Sequence, residues 1–316
     1  MVKKYFQDFK EHFQLLVAVM GVSGFVMFIF LMLTLLTGGC GSEKKDDGKL
    51  KIVTSFYPMY LETMNVTRGV AGVEVVNLTP PQTGCLHDYQ LTPEDMKVLE
   101  TADIFVVNGL GMESFLDKVT EARPNLKIIN ASDSPQIVPI IEDGVPNPHV
   151  WMSITYAIQQ VKNINSKLCE FDPGRADTYR KNTLEYCDEL TTLRDEMHFS
   201  LDLLTNKDIV TFHEAFPYLA AEFKLNIAAV IQREPGTEPT PQELAETIEK
   251  INALPVKVIF TEPQYSSKAA ETIASETGAK IFTLDPIVTG EAKPENLMDY
   301  VDRMLTNMIT LVKALS

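Results

Sequence analysis

Basic charge is what this chain most lacks: 28 Lys and Arg stand against 43 Asp and Glu, a net charge of −15 over 316 residues. So acidic a molecule repels polyphosphate, and nucleic acid is disfavoured as a partner. Short-period repeats and low-complexity tracts are missing, which removes solenoid architectures. Neither H-E-x-x-H nor a Gly-framed serine occurs, so two common hydrolase signatures are absent. Histidine is scarce, with five in all: His12, His87, His149, His198 and His213. Against these gaps, 45% of the residues are hydrophobic, enough to bury a core in one large domain or in each of two lobes. Intrinsic disorder is disfavoured on that ground.

The N-terminus carries its own signal. Lys3, Lys4 and Lys10 precede an apolar stretch from Leu15 to Leu36 that closes in Leu36-Thr-Gly-Gly-Cys40, the layout of an export signal. A cysteine after small residues at the end of such a run resembles the lipobox of a bacterial lipoprotein. That resemblance implies a signal peptide over 1–39, acylation of Cys40, and a chain lipid-anchored on the extracytoplasmic face of the cell membrane. Thr37 departs from the Leu usual three before the cysteine, and the run is about as long as the roughly 20 residues that span a bilayer. An uncleaved transmembrane anchor therefore stays open. Gly41 to Lys49 is charged and free of apolar residues, so 40–49 reads as a flexible tether. Beyond Cys40 the cysteines are Cys85, Cys169 and Cys187. If Phe171-Asp-Pro-Gly174 turns between two antiparallel helices, Cys187 lies about 20 Å along the second, and a 169–187 disulfide is geometrically poor.

From Leu50 onward, short β-rich runs alternate with amphipathic stretches. Lys51-Ile-Val-Thr-Ser, Val73-Glu-Val-Val-Asn, Ile104-Phe-Val-Val and Lys127-Ile-Ile-Asn are strand candidates, and Thr92-Pro93-Glu94 opens a helix. Between Trp151 and Leu204 the apolar spacing is helical, and Pro173 to about Leu204 would extend about 45 Å as one helix. Alternation then resumes with strands at 208–212, 227–231, 256–261 and 280–284 and helices at 214–223, 241–253, 266–277 and 294–314. Thr240-Pro-Gln-Glu243 is a capping box, and Gly278 is placed to end its helix. The fold class expected is α/β: two similar parallel-sheet lobes, 50–172 and 206–316, joined by one long rigid helix at 173–205, with a ligand site in the cleft between them.

Three of the five histidines stand in positions that chemistry uses. His213 follows a strand directly, as do Glu262 after Val258-Ile-Phe-Thr261 and Asp285 after Ile281-Phe-Thr-Leu284, and parallel sheets bind ligands at the carboxyl ends of their strands. Three metal-competent side chains at such ends in one lobe are hard to reconcile with chance. His87, in the loop after 73–77, and His149, opening a helical stretch, can face the same cleft.

Pro81-Gln-Thr-Gly-Cys-Leu-His87-Asp-Tyr-Gln-Leu-Thr-Pro-Glu-Asp95, Asn147-Pro-His149-Val-Trp151, Thr211-Phe-His213-Glu-Ala-Phe-Pro-Tyr218, and Phe260-Thr-Glu262 through Leu284-Asp285-Pro286 resemble the successive signatures of the zinc/manganese ABC transporter solute-binding lipoproteins. The likeness spans about 50 to 316. It implies a metal trap that holds one divalent cation between two lobes, with His87, His149, His213 and Asp285 as ligands, and that acts as a monomer delivering the ion to an ABC permease and its cytoplasmic ATPase. Glu262 is left as a fourth ligand, an acceptor for an imidazole N–H, or a structural acid, the second reading being favoured. The chain departs from the family at Cys85-Leu86, where Asp-Pro is common, and at Asn147, where Asp is common.

Three imidazoles and one carboxylate favour Zn²⁺, whereas carboxylates and water suit Mn²⁺. The manganese branch usually has Glu at the position of His213, yet the His-rich loop of many zinc members is missing here, so Mn²⁺ stays the alternative cargo. A secreted zinc hydrolase is a competing reading, because the same donors can hold a zinc-bound water. An adhesin, or a binder of a larger chelate, is a third. Cys85 is expected to pack as a small buried hydrophobe, since a thiol two residues before His87 need not share its direction.

Overall fold

The computed structural model describes residues 48–87, 89–231, 239–255 and 257–316. The export signal over 1–39, Cys40 and most of the tether lie outside the described residues. No helix among the described residues is long and apolar enough to cross a membrane.

The β/α alternation resolves into two parallel sheets. In the first, β1 (Leu50–Thr54), β2 (Val73–Asn77), β3 (Ile104–Val107) and β4 (Lys127–Asn130) lie in the order β2-β1-β3-β4. The run Ile104-Phe-Val-Val is buried at every position, as an inner parallel strand covered on both faces must be. Helices α1 (Tyr57–Thr67), α2 (Pro93–Glu100) and α3 (Leu116–Ala122) make the crossovers. The start of α2 is fixed by Thr92, whose hydroxyl accepts from the Asp95 N–H while the Asp95 carboxylate accepts from the Thr92 N–H. A two-stranded hairpin, β5 (Ile141–Glu142) with β6 (Val145–Pro146), leads into a 3₁₀ turn at Val150–Met152.

Two long helices follow. The Ser153 hydroxyl caps α4 (Ile154–Phe171), which ends before Pro173 because proline has no N–H to continue the ladder. Pro173–Arg175 forms a tight 3₁₀ turn held by Asp172, whose carboxylate accepts from Arg175 and from the Tyr179 hydroxyl. The next helix, α5 (Ala176–Leu201), therefore starts three residues later than the sequence suggests, and its 26 residues extend about 39 Å. It packs along α4, α1 and the C-terminal helix α9 (Asp299–Leu315). Cys85, Cys169 and Cys187 are free thiols.

The second sheet contains β7 (Asp208–Thr211), β8 (Asn226–Val230), β9 (Val258–Thr261) and β10 (Lys280–Thr283) in the order β10-β9-β7-β8, again parallel. Its crossovers include α6 (Pro217–Phe223), α7 (Pro241–Ala253) and α8 (Lys268–Thr277). Gly278 ends α8 in the left-handed conformation (φ 72°), which costs glycine no Cβ clash. Because β7, β9 and β10 run side by side, the residues just past their carboxyl ends share one edge of the sheet. Those residues are His213, Glu262 and Asp285.

Candidate metal centre

The first imidazole is placed by its neighbours in the loop after β2. Leu86 is fully buried in the core, and Tyr89 is tied to α2 through its hydroxyl, which donates to Asp95 Oδ2 at 2.8 Å. Leu86 and His87 lie in a turn closed by the Tyr89 N–H on the Leu86 carbonyl at 3.1 Å, and Cys85 and His87 on either side of the buried Leu86 each bring a donor atom into one cluster. Cys85 packs against the core, as expected of a small hydrophobe, and its Sγ also lies 3.3 Å from His149 Nε2, a contact the sequence reading did not give it.

The second imidazole is held by Asn147. Its Oδ1 lies 3.0 Å from His149 Nδ1 and accepts from the His149 backbone N–H at 3.0 Å. The other end of the amide donates to Glu142 Oε2 at 2.6 Å and to the Glu214 carbonyl at 2.9 Å. Both of those are acceptors, so Oδ1 is the atom that faces the ring, and Nδ1 carries the proton. Nε2 therefore presents its lone pair to the site. Burial, reinforced by the His213 and His87 rings, pushes the His149 pKa well below its ordinary value, which keeps the imidazole neutral.

His213 follows β7 and is buried. The three rings sit with centroids 5.2 Å (His87 to His149), 5.3 Å (His149 to His213) and 6.0 Å (His87 to His213) apart. One donor atom from each of Cys85, His87, His149 and His213 lies within 4.8 Å of all the others. Four nitrogen and sulfur donors at that spacing can converge on one ion. Burial, with the Glu262 charge adding to it, pushes the Cys85 thiol well above its ordinary pKa, which favours the neutral thiol.

Asp285 is not brought into this group. Its Oδ1 accepts from the Ile287 N–H at 2.7 Å, and its Oδ2 pairs with Arg303 at 3.1 Å. Arg303 is itself bound to Asp299 and to the Thr289 carbonyl. The physical reason is local: Ile287, a β-branched residue at φ 63°, needs the Asp285 cap to hold its turn. Glu262 accepts from Gln264 at 2.6 Å and from the His213 backbone N–H, so it supports His213 through the main chain. Burial above all, with Asp285 nearby adding to it, pushes its pKa up to about 8, against those two bonds.

Sequence reasoning set aside Cys85 and passed over Arg303. Nothing in the local pattern signals the second, which reaches Asp285 from α9. The Trp151 indole N–H donates to the Pro286 carbonyl at 2.8 Å and ties the His149 segment to the Asp285 loop.

Comparison with known proteins adds a lineage to this geometry. Residues 52–314 match the family described as zinc-uptake complex component A, periplasmic. The chain is 31% identical over 313 residues to the high-affinity zinc uptake system protein ZnuA of Bacillus subtilis (strain 168), covering 92% of this chain and 97% of that relative. It is 26% identical over 296 residues to the manganese-binding lipoprotein MntA of Halalkalibacterium halodurans, with 92% and 97% covered. Among solved structures it is similar to the SBP FpvC from Pseudomonas aeruginosa in complex with Mn²⁺, at a TM-score of 0.74 and 32% identity, covering 84% of this chain and 98% of that one.

Proposed function

Since the chain belongs to the zinc-uptake complex component A family, a family of metal-uptake receptors and not of enzymes, we propose that it captures Zn²⁺ outside the cytoplasmic membrane and delivers it to an ABC permease driven by a cytoplasmic ATPase. The observation that carries the reading is the convergence of His87, His149 and His213, from three separated segments, on one point. Imidazole suits zinc, and Asn147 holds the His149 ring in a fixed orientation. Asp285, the fourth ligand implied by resemblance, joins them only by leaving Ile287 and Arg303. Manganese is the alternative cargo, favoured by the manganese-binding relative and by the Mn²⁺ complex of the structural neighbour.

The division into 50–172, 173–205 and 206–316 fits this role, with α5 as the connector and the chain working as a monomer held to the membrane by lipid on Cys40. Calorimetric titration of the metal-stripped chain is expected to give one Zn²⁺ per chain, with His213→Ala weakening affinity by roughly a hundredfold or more. A different stoichiometry, or unchanged affinity in that variant, would refute the site. Lipid labelling that persists in Cys40→Ala would refute the anchor.

A further inference from the structure

We infer that Cys85 is the fourth ligand of the captured ion, bound as a thiolate beside His87, His149 and His213, and that this soft donor makes the site prefer zinc to manganese. The inference rests on the reading of the cleft as a metal trap and deepens it. Its first support is distance. A tetrahedral zinc with Zn–S about 2.3 Å and Zn–N about 2.0–2.1 Å sets S···N near 3.6 Å and N···N near 3.4 Å. Cys85 Sγ already lies 3.3 Å from His149 Nε2, and the four donors are all within 4.8 Å of one another. Closing on an ion therefore asks for shifts on the order of an ångström or less, within the reach of side-chain rotation.

Direction is the second support. Cys85 and His87 both bring a donor atom into the cluster, and Asn147 points the free lone pair of His149 at the sulfur. A third support comes from the competing ligand. Asp285 keeps the Ile287 turn and the Arg303 ion pair in place, and the Pro286 carbonyl between them takes the Trp151 N–H. Asp285 is already engaged by these partners, whereas the Cys85 sulfur already lies among the three imidazole donors.

The chemistry balances simply. On ion entry the Cys85 S–H bond breaks, a metal–sulfur bond forms, and the proton leaves to solvent. Thiolate is a donor that zinc accepts readily, while Mn²⁺ prefers oxygen. A cysteine at this position thus strengthens the zinc preference that the three imidazoles already give.

The test uses the full chain in detergent, reduced and metal-stripped, with Co²⁺ as a spectroscopic stand-in for zinc. The wild type is expected to develop an intense near-ultraviolet sulfur-to-cobalt absorption at one equivalent. Cys85→Ser should still bind one Co²⁺ through its imidazoles but lack that band. Zinc affinity should fall roughly tenfold or more in Cys85→Ser, with manganese affinity changing less, so the zinc-to-manganese ratio narrows. X-ray absorption of the zinc-loaded wild type, which needs no variant, should show a sulfur at about 2.3 Å. Metal bound without sulfur, with Asp285→Asn weakening zinc and Cys85→Ser leaving it unchanged, would overturn the Cys85 assignment alone. A wild type that binds none of the three ions would overturn the receptor reading with it.

Discussion

Asn147 shows how much one side chain decides at this site. Where the family commonly has Asp, the amide keeps an acceptor for the His149 Nδ1–H and gains a donor, which it spends on Glu142 Oε2 and on the Glu214 carbonyl of the other lobe. A carboxylate in its place would keep the first bond and meet Glu142 at 2.6 Å as a like charge. We predict that Asn147→Ala weakens zinc binding about 10–100-fold through loss of ring orientation. It should also lower unfolding free energy by about 1–3 kcal/mol by leaving buried partners unmet. Asn147→Asp should lose stability that the added change Glu142→Gln restores. Titration and denaturant melts check both, and unchanged zinc affinity in Asn147→Ala would mean that the ring is oriented by something else.

At the scale of elements, the helices that carry the fold enclose a buried acid. Glu62 on α1 is almost wholly buried, neither carboxyl oxygen has a hydrogen-bond partner among the described residues, and its charge would act on Tyr186 and Cys187 of α5 and on Tyr300 of α9. Burial pushes its pKa well above the ordinary 4.5. A group whose folded pKa is raised contributes stability that is fully present below its unfolded pKa and is lost as pH rises through the folded value. The wild type should therefore lose stability as pH rises above about 4.5, whereas Glu62→Met, similar in volume and without charge, should not. Thermal melts should find Glu62→Met ahead of the wild type at pH 8, with the gap closing towards pH 4, at about 2–4 °C per kcal/mol. A constant gap across that range would show that Glu62 does not titrate. The helices themselves were legible where local chemistry sets their ends: α7 begins at Pro241 inside the Thr240–Glu243 capping box and stops at Ala253, where the pattern placed it. They were misread where tertiary demands intervene. The helix read from 214 begins at Pro217, because residues 213–216 turn to present His213 and to offer the Glu214 carbonyl to Asn147. The helix read from 294 begins at Asp299, after a separate 3₁₀ turn at Pro294–Asn296.

For the whole molecule, the candidate site lies where the lobes are stitched together. Tyr218 of α6 donates to the Asn147 carbonyl and accepts from the Ile140 N–H, Thr155 of α4 bonds Glu222, and Tyr57 of α1 bonds Asp299. The sequence exposed the three histidines because they are scarce and follow strands or loops at the cleft. It could not expose the direction of Cys85, which the tertiary setting of its loop decides, nor the hold of Arg303 on Asp285 across 18 residues. An ion bound by His87 from one lobe and His213 from the other must couple the two in unfolding. Ligand at a hundred times its dissociation constant stabilises the native state by about 2.7 kcal/mol, which for a chain of this size is several degrees in melting temperature. We therefore predict that zinc raises one cooperative transition, and that His87→Ala and His213→Ala each abolish most of the rise although they sit in different lobes. Two transitions, only one of them moved by zinc, would show that the ion is held by a single lobe, and the cleft would then not be the place of capture.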